Sequence, residues 1–101
     1  MTEVYLSKST SSGKKYMVKV KQNSGESKTI HFGASGYSDY TKHKDSERKE
    51  RYISRHKKRE NWSKSGINTA GFWSRWLLWN KPSLYASKKD IEKRFSIKFK
   101  K

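Results

Sequence analysis

The chain has 101 residues, of which 34% are charged and only 31% hydrophobic, and its 25 Lys and Arg against 9 Asp and Glu give a formal net charge of +16. That length suits one domain, or one domain with a tail, and the charge directs it toward polyanions: nucleic acid, an anionic membrane or an acidic protein. With no cysteine, a disulfide framework and thiolate chemistry are excluded.

So little apolar surface approaches the composition of disordered chains, which bury too little to offset ordering entropy. Four Trp, six Tyr and four Phe oppose that tendency, because each ring buries on the order of 150–250 Å². The expectation is a small α+β domain built on few, bulky core residues. MTEVYLSKS holds Glu3 and no apolar run, so no secretory leader is expected. The apolar stretch Ala70–Trp79 is interrupted by Arg75 and is about half the roughly 20 residues that a membrane-spanning helix needs.

Residues 1–36 read as a β-meander. EVYLSKS alternates Val4 and Leu6 with polar neighbours, and KKYMVKVKQ sets Tyr16, Val18 and Val20 against Lys15, Lys19 and Lys21, with Met17 the exception. That period of two describes half-buried antiparallel strands whose outer face is basic. STSSG, ending at Gly13, and NSGES, around Gly25, supply the turns, and KTIHFGA (Lys28–Ala34) is a third strand. Gly33 and Gly36 read as turn glycines.

Residues 37–64 form a basic helix and loop. Asp45 can cap a helix running to about Arg59, with Glu47 in its first turn and Lys57, Lys58 and Arg59 in its last. Ser38 or Asp39 could start an earlier turn or extend the same helix. In residues 65–95, Asn68 or Thr69 caps a tryptophan-rich helix that Asn80 and Pro82 stop, and Ser83 or Ser87 caps a last helix; SKKD (Ser87–Asp90) fits a capping box loosely. Residues 96–101, SIKFKK, are either a short strand joining the sheet edge or a basic tail.

AGFWSRWLLWN (Ala70–Asn80) concentrates three tryptophans and a phenylalanine. At about 100° per residue, Phe72, Trp76 and Trp79 share a face, Trp73 and Leu77 adjoin it and Leu78 lies nearly opposite. Base stacking by exposed tryptophans is physically reasonable, but it would leave almost no core. Phe72, Trp73, Trp76 and Leu77 are therefore expected to be core, while Trp79 is balanced between core and surface. Trp62 in RENWSKSG is either a staple holding its loop to the domain or an aromatic that stacks on a partner, and Tyr37 and Tyr40 share that ambiguity.

HKDSERKERYISRHKKRENW is the clearest functional signal. Lys44, Arg48, Arg51, Arg55 and Lys58 recur at intervals of four, three, four and three, forming one helical stripe with Arg59 beside it and Lys64 in the loop beyond. Cations one helical turn apart can meet successive phosphates, and guanidinium forks suit paired hydrogen bonds to phosphate oxygens. A solvated helix face paired with Glu47 and Glu50 is the alternative. RHKKR also satisfies a nuclear-import pattern, as any basic helix would. His31, His43 and His56 have no zinc-ligand spacing, and no nucleophile–base pair or Gly-rich phosphate loop is present. A non-enzymatic protein with no metal and no cofactor is expected, binding DNA or RNA through the phosphate backbone and not a membrane.

IHFG, RHKKRE and GFWSRWLLWNKP, within a stretch from Lys28 to Phe95, resemble a family of short basic proteins encoded by large DNA viruses of algae and amoebae. The strands Glu3–Gln22 lie outside the strongest part of that resemblance. It transfers no catalytic residue. It implies a viral gene, a place in the virion or in the infected cell's nucleus or cytoplasm, and a role on the packaged genome. The alternative is a minor capsid protein, whose arginines would pair with acidic patches on coat proteins and whose Trp62, Trp79 and tyrosines would anchor the interface.

Overall fold

In a computed structural model, which describes residues 2–22 and 24–100, strands β1 (Thr2–Lys8), β2 (Lys14–Lys21) and β3 (Ser27–Ala34) pair antiparallel as a meander. Val4, Val18, Val20, Ile30 and Phe32 are buried on one face, as expected, and Lys19 and Lys21 are exposed on the other, whereas Lys15, expected beside them, is half-buried against Asp39. Gly13, at φ +84°, closes the first turn. Of the second turn, Asn23 lies outside the described residues. The C-terminal segment is a strand, β4 (Ile97–Lys100), parallel to β1, so the sheet has four strands in the order β3-β2-β1-β4. Lys101 of that segment is not among the described residues.

Gly33 is inside β3 rather than in a turn. Its φ is +78°, and a Cβ there would come within 2.8 Å of Leu78 Cδ1. The glycine allows both a left-handed backbone and a close approach of the helical layer to the sheet.

Between β3 and β4 the chain is helical. A short α1 (Tyr40–His43) is capped by Asp39, whose carboxylate accepts from Thr41 N–H and also pairs with Lys15 Nζ at 2.6 Å. Lys44, at φ 56°, ends α1, and Asp45 caps α2 (Ser46–His56) by accepting from the N–H groups of Glu47 and Arg48. The helix stops three residues short of Arg59, and Lys57–Arg59 form turns held by Arg59 N–H to the His56 carbonyl.

Thr69 caps α3 (Ala70–Trp73), which widens into a π-helical turn over Ser74–Leu78. Trp79 N–H donates to the Ser74 carbonyl five residues back, at 3.1 Å. The extra residue per turn breaks the 100° projection, so Leu77 and Leu78, expected on different sides, are both buried.

The last helix, α4 (Leu84–Phe95), is capped by Ser83, not Ser87. Ser87 is fully buried one turn in, where its hydroxyl accepts from Lys81 N–H, so SKKD is helix interior and not a capping box.

Phe72, Trp73 and Leu77 have no exposed surface, and Trp76 and Leu78 retain almost none; Ile91, Ile97 and the sheet's inner face complete the core. Each such fully buried side chain is worth about 1.5–3 kcal/mol. The two core indole N–H groups are satisfied: Trp73 Nε1 donates to the Ile67 carbonyl at 2.7 Å and Trp76 Nε1 to the Trp62 carbonyl at 2.9 Å. The aromatics are the core of this α+β domain, and no base could reach Trp73.

Candidate nucleic-acid interface

Helix α2 has one buried residue, Tyr52. Its ring stacks on Trp79, with centroids 4.4 Å apart and planes within 3°, and His56 stacks on Tyr52 at 4.3 Å. One turn earlier, Lys49 Nζ donates to the Asn80 carbonyl at 2.7 Å and lies 4.9 Å from the Tyr40 ring centre. Burial lowers the Lys49 pKa, aided by Arg75 and Lys81. Burial likewise pushes the Tyr52 hydroxyl up to about 12, with the Glu60 carboxylate adding to it. Lys49 and Tyr52 thus fix which side of α2 faces the body.

The ridge lies beside that side, about a quarter-turn round the helix. Arg48, Arg51 and Arg55 are exposed at intervals of three and four, roughly one 5.4 Å turn apart along the helix. Among the described residues, Arg51 has a carboxylate within ion-pair range, Glu47 at 4.0 Å, and both side chains are solvated. Such a pair contributes about 0–1 kcal/mol and holds neither partner tightly. Arg48 and Arg55 have no such carboxylate among the described residues.

The remaining cations divide. Lys58 and Arg59 are exposed but sit in the turn after α2, where the Arg59 guanidinium donates to the Arg55 carbonyl at 3.3 Å. Lys44 precedes α2 and its ammonium donates to the Thr41 carbonyl at 3.1 Å. Lys64 is not part of the stripe: its Nζ donates to the Phe95 carbonyl at 2.7 Å, the last carbonyl of α4. The helical stripe expected from Lys44 to Lys58 is therefore three arginines on α2 with cations before and after it.

The aromatic candidates divide more sharply. Trp79 is half-buried, stacked on Tyr52 and with His43 tilted against it at 5.3 Å. Trp62 is half-buried against the core and lies under Arg75, 5.4 Å from its ring centre, which places it as the staple. Tyr40 is half-buried beside Lys49. Tyr37 alone of the four is open, at 73% exposure. It lies on the wall of a cavity of about 380 Å³ that Lys14, Arg55 and His56 also line, so one rim of the ridge continues into a basic, aromatic hollow.

Three residues gain roles that the sequence did not signal. Arg75, which interrupts the apolar run, is half-buried, donates to the Trp79 carbonyl at 2.8 Å and stacks over Trp76 at 4.4 Å. Burial, and then Arg94, lower its pKa. His43 is no surface cation: its Nδ1 accepts from Asp45 N–H at 2.9 Å. Burial, and then Arg48, lower its pKa, which keeps the ring neutral near pH 7. His56 is committed to the Tyr52 stack. Among the described residues no three His, Asp or Glu side chains gather as a metal site would require, and no helix is long and apolar enough to cross a membrane.

A family model matches residues 4–56, from β1 through the last residue of α2. The chain belongs to a family of unknown function (DUF5754). The match takes in β1 and β2, which the resemblance drawn from the sequence leaves outside its strongest part, and it ends before the tryptophan-rich segment. The family's segment therefore holds the ridge and three of the four strands, whereas Phe72, Trp73, Trp76 and Leu77, which complete the core beneath them, come from the remainder of the chain. Comparison with curated proteins and with solved structures finds no match.

Proposed function

We propose that the protein binds nucleic acid without enzymatic action, through phosphate contacts and with little sequence specificity, in the service of packaging or organising a viral genome. The observation behind this is the division of labour on α2. Tyr52 and Lys49 hold one side to the body, and Arg48, Arg51 and Arg55 are left exposed on the flank beside it with a single long ion pair among them. Guanidinium groups in that state bind phosphate oxygens without first giving up a partner. Phosphate contacts position a protein on nucleic acid but read no bases. If about six phosphates are neutralised, log affinity for duplex falls with log salt at a slope near −5.

A minor capsid role is the second reading, supported by Glu47 at 4.0 Å from Arg51 and by the exposed Tyr37 and Tyr85. Mixed charge and open aromatics suit an acidic protein surface better than a phosphate track. Titrating labelled duplex DNA, RNA and an acidic polypeptide at several salt concentrations separates the two. Steep salt dependence on nucleic acid supports the first, and preference for the polypeptide replaces it with the second.

A further inference from the structure

Helix α3 and the π-helical turn pack on β3 and α4 on β4, over the face where Val4, Val18, Val20, Ile30 and Phe32 are buried. On the other face Lys15 reaches Asp39, but the rows farther from it are open. Cross-strand register gives its layout. One row runs Thr29, Lys19, Tyr5, Lys100 across β3-β2-β1-β4, and the next runs Ser27, Lys21, Glu3, Lys98. Lys19, Lys21, Lys98 and Lys100 are all exposed, and the one carboxylate in these rows, Glu3, is engaged by Lys100 at 3.8 Å. Tyr5 is half-buried at the centre of its row and enters no ring–ring or cation–π contact among the described residues. A shallow concavity of about 360 Å³ is lined by Tyr5, Lys19, Lys21 and Ser27.

We propose that this open face is a second nucleic-acid-binding surface, which takes a single strand with a base on Tyr5 and phosphates on Lys19, Lys21, Lys98 and Lys100. This rests on the reading of the chain as a nucleic-acid binder, but on a surface that shares no residue with the α2 ridge. Four strands about 4.8 Å apart are too broad for a major groove about 12 Å wide, which admits a helix or a two-stranded ribbon. A single strand has no such limit. Its unstacked bases lie flat on an aromatic while its backbone runs through the flanking ammonium groups. The ridge lies on the helical side of the sheet and this face on the other, so one molecule can hold two nucleic-acid segments at once, which is what condensing a genome requires.

The test uses the full chain and measures anisotropy with a fluorescent oligothymidine of about 15 nucleotides, within the range that such platforms cover, alongside a labelled duplex. Y5A should weaken oligothymidine binding about tenfold, the loss of one stacked base, and leave the duplex unchanged. K19Q/K21Q/K98Q should make the single-strand salt slope shallower by about 2, at about 0.7 for each phosphate no longer neutralised. K42Q/K81Q/K93Q removes the same charge from exposed lysines elsewhere and should have a clearly smaller effect. The proposal is overturned if Y5A binds oligothymidine like the wild type, or if the two triple variants lose affinity equally. The ridge is judged separately, by whether R48Q/R51Q/R55Q loses the duplex.

Discussion

Tyr52 of α2 and Trp79, the residue after the π-helical turn, lie face to face, 4.4 Å between ring centres and 3° between planes. Through this pair the basic helix is clamped to the tryptophan-rich segment, and the clamp turns Arg48, Arg51 and Arg55 outward. It also occupies one face of Trp79, whose ring His43 contacts at 5.3 Å as well.

Replacing Tyr52 should therefore do more to the body than replacing any arginine of the ridge. Tyr52→Ala deletes the one buried side chain of α2 and should cost about 3–5 kcal/mol, as large aromatic deletions do. Tyr52→Phe keeps the stack and removes only the hydroxyl, so it should cost about 1 kcal/mol. Urea denaturation of both variants checks this, and similar losses for the two would mean that the stack contributes little.

Arg48→Gln, Arg51→Gln and Arg55→Gln together should leave the thermal midpoint close to that of the wild type, since none of the three is buried. Duplex affinity should drop and its salt slope should become shallower by about 3, at about 0.9 for each phosphate no longer neutralised. Parallel melting and binding curves decide the matter. A midpoint that falls along with the affinity would assign the arginines to the body.

Gly33→Ala should destabilise by about 1–3 kcal/mol. The added methyl meets Leu78 Cδ1 at 2.8 Å, and φ +78° is strained for any residue with a Cβ. Leu78 is almost wholly buried and has little room to yield. Adding Leu78→Ala in the Gly33→Ala background should cost less than the sum of the two single losses predicts, because the pair touches. Strictly additive losses in a double-mutant cycle would show that the close approach is not the cause.

Acid should loosen the α1–α2 junction through His43. Its folded pKa is below the ordinary 6.5, so the unfolded chain takes up the proton first. The stabilisation is complete above about 6.5 and is lost as pH falls through the folded value. His43→Gln should flatten the change in thermal midpoint between about pH 7 and pH 5, leaving the remainder to other groups. An unchanged profile would remove His43 from that role.

Local chemistry is legible wherever a residue acts on its own neighbours. Asp45 can be read as a cap, and Thr69 as one of two candidates with Asn68, because a side-chain oxygen three residues before an N–H group finds it without help from the rest of the chain. The choice between Ser83 and Ser87 is open on those grounds, and packing settles it by burying Ser87. Trp62, Trp79, His43 and Arg75 are not legible. Their surroundings come largely from segments distant along the chain, and no spacing records that His43 and Tyr52 both meet Trp79 or that Arg75 reaches both Trp62 and Trp76.

Composition and periodicity alone settled that most of the rings are interior and most of the lysines and arginines exterior, because transfer from water separates those side chains whatever the topology. They settled too that a meander precedes the helices. Which cations are free could be decided only in three dimensions. Lys15 and Lys49 point inward to Asp39 and the Asn80 carbonyl while Arg48 and Lys19 point out, since a charge is committed or available according to what the folded chain places beside it.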